Sequence, residues 1–351
     1  MHMLDRAKAK IYVAGHTGLV GSAVVRRLTQ LGYRHILVKP RRELDLLDQS
    51  AVHSYLRQEK PDIVIDAAAK VGGIHANSTY RTEFLYDNLQ IQNNLIWGSH
   101  LAGVDNFVFL GSSCIYPKIA PQPMNEMCLL SDTLEPTNRP YALAKIAGLE
   151  LIGALRYQYG RNYFSIMPTN LYGPGDNFHP ENSHVIPALM RRIHEAKVRG
   201  DKEVVIWGTG RPMREFLYVD DCAEAIVFLA ENVDRQTFNG NPMVGQHWAH
   251  INLGSGDEYS IADLARKICE TVGFNGRLVF DPTKPDGTPR KLLDVSFLHS
   301  LGWTHTTSLS DGLRRTYAQY VTTDQPKFSE GNGAAGRKMT AKPRDTRRLD
   351  L

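Results

Sequence analysis

Directly after an apolar run from Ile11 to Ala14, the chain reads Gly15-His16-Thr17-Gly18-Leu19-Val20-Gly21 and then carries Val24, Val25 and Leu28 at helical spacing. A strand that turns through glycines straight into a helix leaves few folds open. The glycines permit a tight turn and let backbone N–H groups approach an anion at the positive end of the helix, the arrangement that holds a dinucleotide pyrophosphate. A glycine triplet can also be a turn and nothing more. Its place between strand and helix favours the nucleotide.

The rest of the first half keeps this rhythm. Short apolar runs alternate with amphipathic stretches: Ile11 to Ala14, Leu19 to Leu31, His35 to Val38, Gln49 to Gln58 and Asp62 to Asp66. A helical pattern follows from Thr79 to Ala102, then a strand at Phe107 to Leu110, a helix from Pro140 to Tyr159 and a strand at Tyr163 to Met167. Such alternation predicts an α/β fold, a Rossmann-type doubly wound parallel sheet of six or seven strands over residues 8–170. After Pro168 the loops become rich in Gly, Pro and Asn, with helices near Val185 to Lys197, Asp220 to Asn232 and Ser260 to Val272. Residues 171–324 therefore read mainly as a smaller α/β substrate-binding lobe, from which a segment such as Ile251 to Leu253 can return to the main sheet.

With 351 residues and 42% hydrophobic side chains, the chain can bury one large domain and a smaller companion. Its 41 basic and 37 acidic residues leave a net charge of +4, which does not suggest nucleic-acid binding. Cys114, Cys128, Cys222 and Cys269 lie far apart, without metal-ligand or disulfide spacing, so no metal is expected and a reducing cytoplasm fits. Met1 to Lys10 is polar and basic, and Gly15 and His16 break the apolar run behind it. Neither a secretory leader nor a membrane span is expected. From 325 to 351, glycines, Pro343, Lys338, Arg344, Arg347 and Arg348 stand with almost no apolar periodicity, and the expectation is a disordered basic tail.

The end of the second strand selects between the two nicotinamide cofactors, because an acidic residue there bonds the ribose 2′-hydroxyl and repels a 2′-phosphate. Here the stretch is Val38-Lys39-Pro40-Arg41-Arg42. Lys39, Arg41 and Arg42 offer cations to a phosphate, and the expected cofactor is NADP(H). A solvated surface turn is the other reading of the same residues.

At the end of the fourth strand sits Leu110-Gly111-Ser112-Ser113-Cys114-Ile115-Tyr116, and later Tyr141 and Lys145 fall four apart on one helix face. Ser, Tyr and Lys together can reduce a carbonyl. A nearby ammonium is expected to lower the tyrosine pKa from its ordinary value of about 10, so that Tyr141 donates to a developing alkoxide while Ser112 binds the same oxygen. A Tyr and Lys four apart occur by chance on many helices; the glycine loop and Ser112 give the pair its meaning.

On these motifs the sequence resembles the extended short-chain dehydrogenase/reductase superfamily, and within it the GDP-L-fucose synthase family. The closest segments are Ala68-Ala69-Lys70-Val71-Gly72-Gly73-Ile74, Gly111 to Lys118, Leu134-Glu135-Pro136-Thr137-Asn138, Met167 to Gly173, Asn182 to Pro187, Pro212-Met213-Arg214-Glu215-Phe216 and Lys284 to Asp294. The resemblance runs through roughly residues 10 to 322. It implies conversion of GDP-4-keto-6-deoxy-D-mannose to GDP-L-fucose, by epimerisation at C3 and C5 and reduction at C4 by NADPH, in a homodimer joined through the Thr79 to Ala102 helix and the helix bearing Tyr141. It places Gly15, Thr17, Gly18, Leu19, Val20 and Gly21 on the pyrophosphate and Arg41 near the adenosine end. Leu110, Gly111, Tyr141, Lys145, Pro168, Asn170, Leu171 and His184 surround the rest of the cofactor. Ser112, Tyr141 and Lys145 serve the reduction, Cys114 and His184 the epimerisation, and Arg192, Trp207, Arg214 and Asp286 hold the GDP-sugar. Thr17 departs from the arginine that bacterial members carry in the glycine loop, which leaves the NADPH preference resting on Lys39, Arg41 and Arg42.

Taken singly, Cys114 reads as a small buried apolar residue, His184 as a helix cap or core histidine, and Trp207 as core. The rival functions are a nucleotide-sugar 4-epimerase or 4,6-dehydratase of the same superfamily, or an NADP-sensing protein without turnover. A dehydratase calls for an acidic pair after the strand-end serine, where this chain has Ser113 and Cys114; intact Ser112, Tyr141 and Lys145 speak against a sensor. Cys114 follows Ser112 by two positions, so continued extended geometry is expected to aim both at one pocket.

Overall fold

A computed structural model describes residues 5–180, 183–239, 249–284 and 286–324; the tail expected over 325–351 lies outside the described residues. In chain order the elements are β1 (Lys10–Ala14), α1 (Leu19–Gln30), β2 (His35–Leu37), α2 (Gln49–Glu59), β3 (Ile63–Asp66), α3 (Ile74–Thr79), α4 (Arg81–Leu101), β4 (Asn106–Leu110), α5 (Arg139–Tyr159), β5 (Asn162–Pro168) and β6 (Asn170–Tyr172). There follow α6 (Val185–Arg199), β7 (Glu203–Trp207), β8 (Met213–Tyr218), α7 (Val219–Asn232), β9 (His250–Leu253), β10 (Glu258–Ser260), α8 (Ile261–Val272), β11 (Arg277–Asp281), β12 (Arg290–Lys291), α9 (Ser296–Ser300) and α10 (Leu309–Gln319).

Six parallel strands in the order β2-β1-β3-β4-β5-β9 form the main sheet. Both faces are covered, which is why β3 is buried at every position. Alternation along the strands divides the core. Ile11, Val13, Ile63, Ile65 and Val108 pack with Val24 and Leu28 of α1 and Cys222, Ile226 and Leu229 of α7. Tyr12, Val64, Phe107 and Phe109 face Val52 and Leu56 of α2, Leu95 and Ile96 of α4, and Ile152 and Leu155 of α5. The chain runs outward from β1 to β2 and returns to place β3 on the other side of β1. That reversal opens a crevice at the carboxyl ends of the strands, where open α/β sheets bind ligands.

Ile186, Leu189 and Ile193 of α6, Leu264 and Ile268 of α8 and Leu313 of α10 build a separate core against Phe216 and Tyr218 of β8. There β8 pairs antiparallel with β10 and parallel with β6 and β12, while β11 lies parallel to β7. The long helix expected from Thr79 begins at Arg81. Tyr80, at φ −105° and ψ 48°, separates it from the short α3. The expected return of 251–253 to the main sheet is present as β9, paired with β5 from Ser165 to Pro168.

Candidate active site

The glycine loop lies at the β1–α1 turn beside β3. Gly15 holds φ +77°, and a Cβ there would stand 2.6 Å from the Ala67 carbonyl oxygen; at Gly21 a Cβ would land on the Gly15 carbonyl. Both glycines are demanded by the packing of helix, turn and strand. Gly18 differs. It caps α1 without a side-chain bond, no acidic residue occupies the first turn, and a Cβ would meet only the Gly15 oxygen at 3.4 Å. The free N–H groups and dipole of a twelve-residue helix thus face open space at Gly18 and the exposed Thr17. This donor set fits a pyrophosphate.

The cations after β2 lie at the same edge of the sheet. Lys39 pairs with Glu43 at 3.3 Å and Arg41 with Asp45 at 3.4 Å, and both arginines are largely exposed. Exposed pairs of this kind are worth under about 1 kcal/mol, so a phosphate can displace them at little cost.

The chemistry-bearing side chains gather past the end of β4. The chain does not stay extended there: Ser113–Ile115 is a single 3-10 turn, whose first N–H groups are capped by Ser112, its Oγ accepting from the Cys114 N–H at 3.2 Å. The turn, in place of the extended geometry expected, keeps Ser112 and Cys114 together. It packs against α5, where Pro140 in the first turn presets the helical φ. Gly148 lets the helix approach the Phe109 ring, since a Cβ there would stand 2.7 Å from it. Tyr141 and Lys145 therefore face the strand ends.

Lys145 is buried, donates to the Leu110 carbonyl at 2.7 Å, and stands 4.5 Å from the Phe109 ring centre and 5.9 Å from that of Tyr141. Burial lowers its pKa to about 8, with Asp66 opposing. Asp66 ends β3 in register with Phe109, is fully buried, and is raised to about 6 by burial, against Lys145 and the Ala68 N–H. The lowered tyrosine pKa expected from the Tyr/Lys spacing is not what the structure has. Burial, with Cys114 next, pushes the Tyr141 phenol well above its ordinary value, and Ser112 opposes through a hydrogen bond. Lys145 spends its ammonium on a carbonyl instead, so Tyr141 stands as a protonated donor.

His184 caps α6 and keeps solvent access, while the density of protein around it lowers its pKa by desolvation. Its neighbour Ser183 lies against the loop after β3: a Cβ on Gly73 would come within 2.9 Å of the Ser183 carbonyl oxygen. One residue earlier, a Cβ on Gly72 would stand 3.3 Å from Phe84, whose ring meets Tyr141 edge-on at 6.3 Å. Leu110, Gly111, Pro168, Asn170 and Leu171 line up where β4, β5 and β6 end or begin.

Arg192 donates to the Val205 carbonyl at 2.9 Å and lies 5.6 Å from the Trp207 ring centre, with Lys284 equally close to that ring. Trp207 is 63% exposed, so it is not core. Asp286 accepts from the Thr209 N–H at 2.6 Å and its hydroxyl at 2.8 Å. Burial lowers the Arg214 pKa, and Asp286 opposes. A hollow of about 370 Å³ bounded by Arg192, Ala196, Arg199, Val205 and Trp207 adjoins this group, apart from Ser112, Cys114 and Tyr141.

Residues 11–245 match the NAD dependent epimerase/dehydratase family. The chain belongs to that family. It is 58% identical to GDP-L-fucose synthase 1 of Arabidopsis thaliana, over 91% of this chain and 95% of that protein. It is 53% identical to GDP-L-fucose synthase of Escherichia coli, over 92% of this chain and 99% of that one. A crystal structure of a GDP-L-fucose synthetase from Naegleria fowleri bound to NADP superposes with a TM-score of 0.78 at 27% identity, covering 91% of this chain and 95% of that one.

For this member of the epimerase/dehydratase family, the coupling of Asp66 to Lys145 gives a pH prediction. A reduction that needs the Lys145 ammonium declines as pH rises through about 8. Asp66→Asn removes the carboxylate that supports the ammonium, so the alkaline limb moves down by about one pH unit. A pH profile of NADPH oxidation whose limb stays in place would show that Asp66 does not act on Lys145. Motif reading passes over Asp66, which acts on Lys145, and Lys284, which lies against the Trp207 ring. Asp66 is a lone carboxylate closing an apolar strand, which is itself the available signal.

Proposed function

We propose that this chain converts GDP-4-keto-6-deoxy-D-mannose to GDP-L-fucose, inverting C3 and C5 and then reducing C4 with NADPH. The observation that carries the reading is the gathering of a thiol, Cys114, with the carbonyl-reducing group Ser112, Tyr141 and Lys145. A reductase alone needs no thiol there. Support comes from the named synthases, which match along nearly their whole length.

A ketone at C4 acidifies the protons on both neighbouring carbons. With its oxygen between Ser112 and Tyr141, one oxyanion-binding site serves both inversions through an enolate. Cys114 takes a proton from one face and His184 delivers one to the other. NADPH, when bound, supplies the hydride for C4. Tyr141, held protonated by its burial, gives its proton to the C4 oxygen, and Lys145 beneath it stabilises the phenolate left behind. Arg192, Arg214 and Lys284 supply positive charge for the diphosphate, Trp207 a flat apolar face, and Asp286 an anchor for the loop carrying Thr209.

NADPH absorbance measured with GDP-4-keto-6-deoxy-mannose, against UDP- and dTDP-linked keto-sugars, tests the reading. Turnover of a control sugar in preference to the GDP-sugar would overturn it. Lys39, Arg41 and Arg42 support NADPH over NADH, and Arg41→Asp is expected to narrow or invert the preference. Comparable kcat/KM for the two cofactors in the unmodified enzyme would contradict that.

The exposed Tyr86, Trp97 and Leu101 of α4 and Leu143, Tyr157 and Tyr159 of α5 support a homodimer joined through a four-helix contact. Four unpaired cysteines support a cytoplasmic setting. No helix among the described residues is long and apolar enough to cross a membrane.

A further inference from the structure

The Nζ of Lys291 lies 3.5 Å from the Sγ of Cys114. The two residues are 177 positions apart in the chain, and nothing in the roles assigned above calls for the lysine. Its backbone is fixed on both sides. Within β12, Lys291 stands opposite Arg214 of β8. The preceding Arg290 points away into a two-bond contact with Glu258, at 2.8 Å each. The following Leu292 and Leu293 N–H groups are held by Gln122 at 2.9 Å and by Glu215 at 3.1 Å. Such alternation along a short strand delivers one side chain to the site and its neighbour to the surface.

We infer that Lys291 is the positioning residue of the epimerisation base: its ammonium holds Cys114 as a thiolate facing the keto-sugar. This rests on the reading of Cys114 as the base. Of the charged and titratable groups, Lys291 lies at 3.5 Å from the sulfur and Tyr141 of α5 interacts with Cys114 electrostatically, while Arg214 stands opposite Lys291 on β8. An ordinary thiol, with a pKa near 8.5, is only a few per cent ionised at neutral pH. A cation in contact raises that fraction. The S–H proton leaves to solvent before the substrate reacts. The thiolate then takes the proton from the carbon beside the ketone, forming S–H as C–H breaks, and the C–H electron pair moves to the C4 oxygen as the enolate. Lys291 changes no bond in this sequence. It keeps the sulfur anionic and aimed.

The experiment measures alkylation of Cys114 by iodoacetamide against pH, read by peptide mass spectrometry, with the half-buried Cys269 as internal reference. Lys291→Gln keeps a polar chain without the charge. It is expected to raise the Cys114 midpoint by about one pH unit or more and to slow labelling near pH 7 by about tenfold, while Lys291→Arg restores most of the rate and Cys269 labels as before. Deuterium exchange at C3 and C5 should fall by a similar factor near pH 7 and recover toward pH 9, a rescue that a merely structural role would not give. An unmoved Cys114 midpoint in Lys291→Gln overturns the inference. If the variant loosens the fold, Cys269 labelling rises, and the Lys291→Arg protein then decides: a Cys114 midpoint like that of the unmodified enzyme upholds the pairing, and one that matches a free thiol overturns it. Should the midpoint shift as expected while the unmodified enzyme exchanges no deuterium into the GDP-keto-sugar, the ion pair stands and the epimerase reading of Cys114 falls.

Discussion

Replacing Cys114 with serine is expected to abolish solvent deuterium incorporation at C3 and C5 of the GDP-keto-sugar, whereas Tyr141→Phe is expected to retain that exchange and to lose NADPH oxidation by roughly 10²–10⁴-fold. On the proposed mechanism the two variants separate because the two steps share an oxygen-binding site and differ in their proton carriers. A serine hydroxyl in place of the thiol is far too weak an acid to ionise near neutrality, so with Cys114 as the proposed base neither carbon is expected to lose its proton. On the same proposal the phenol is needed most when an alkoxide forms at C4; in its absence Ser112 would still hold the ketone oxygen and Cys114 would still act, so exchange is expected to slow without stopping. Normal exchange in Cys114→Ser would reduce the cysteine to a packing role. Loss of exchange in Tyr141→Phe equal to the loss of reduction would make the tyrosine the principal enolate stabiliser.

The largest expected loss of stability lies away from the chemistry. Glu215→Ala is expected to cost about 3–5 kcal/mol. The Glu215 carboxylate is fully buried and accepts the Gly256 N–H at 2.8 Å on one oxygen and the Leu293 N–H at 3.1 Å on the other. Its own carbonyl accepts the Asn170 side-chain amide at 2.8 Å. Four segments of chain thus converge on one residue, and truncation leaves the buried Leu293 N–H and the part-buried Gly256 N–H without their acceptor, together with a cavity. Burial raises its pKa, and the hydrogen bonds from backbone N–H groups and Thr169 only oppose that shift. Denaturant unfolding of the variant checks the figure, and a loss below about 1 kcal/mol would mean that water or a neighbour satisfies the freed groups.

Much of the first half was legible because its information is local. Periodicity marked the strands, and a glycine turn between strand and helix marked the pyrophosphate cradle. Ser112, Tyr141 and Lys145 were readable as types at a spacing. Their electrostatics were not, since proximity of Tyr and Lys in sequence does not say where the ammonium is spent, and here it is spent on the Leu110 carbonyl. The two-residue spacing of Ser112 and Cys114 suggests extended backbone that aims both at one pocket, whereas the chain turns there as a 3-10 helix and holds the two together through the Cys114 N–H and the Ser112 Oγ. Asp66, Lys291 and Glu215 owe their meaning to partners 41 to 177 positions away. No pattern along the chain encodes such pairings, because they arise only when strands from distant segments are laid side by side.

The late arrival of β9 in the main sheet bears on how the protein is made. Until the ribosome has delivered His250 to Leu253, β5 has no neighbour on one side, and an unpaired strand edge is a template for association with other chains. At roughly 5–20 residues per second, the ~80 intervening residues leave that edge uncovered for about 4–16 s. The α7 segment that roofs Val24 and Leu28 is synthesised within the same interval. Nascent chains are therefore most at risk of aggregation after the nucleotide cradle has emerged and before its sheet is complete, and a version cut near 170 keeps every glycine of the cradle while remaining at that vulnerable stage.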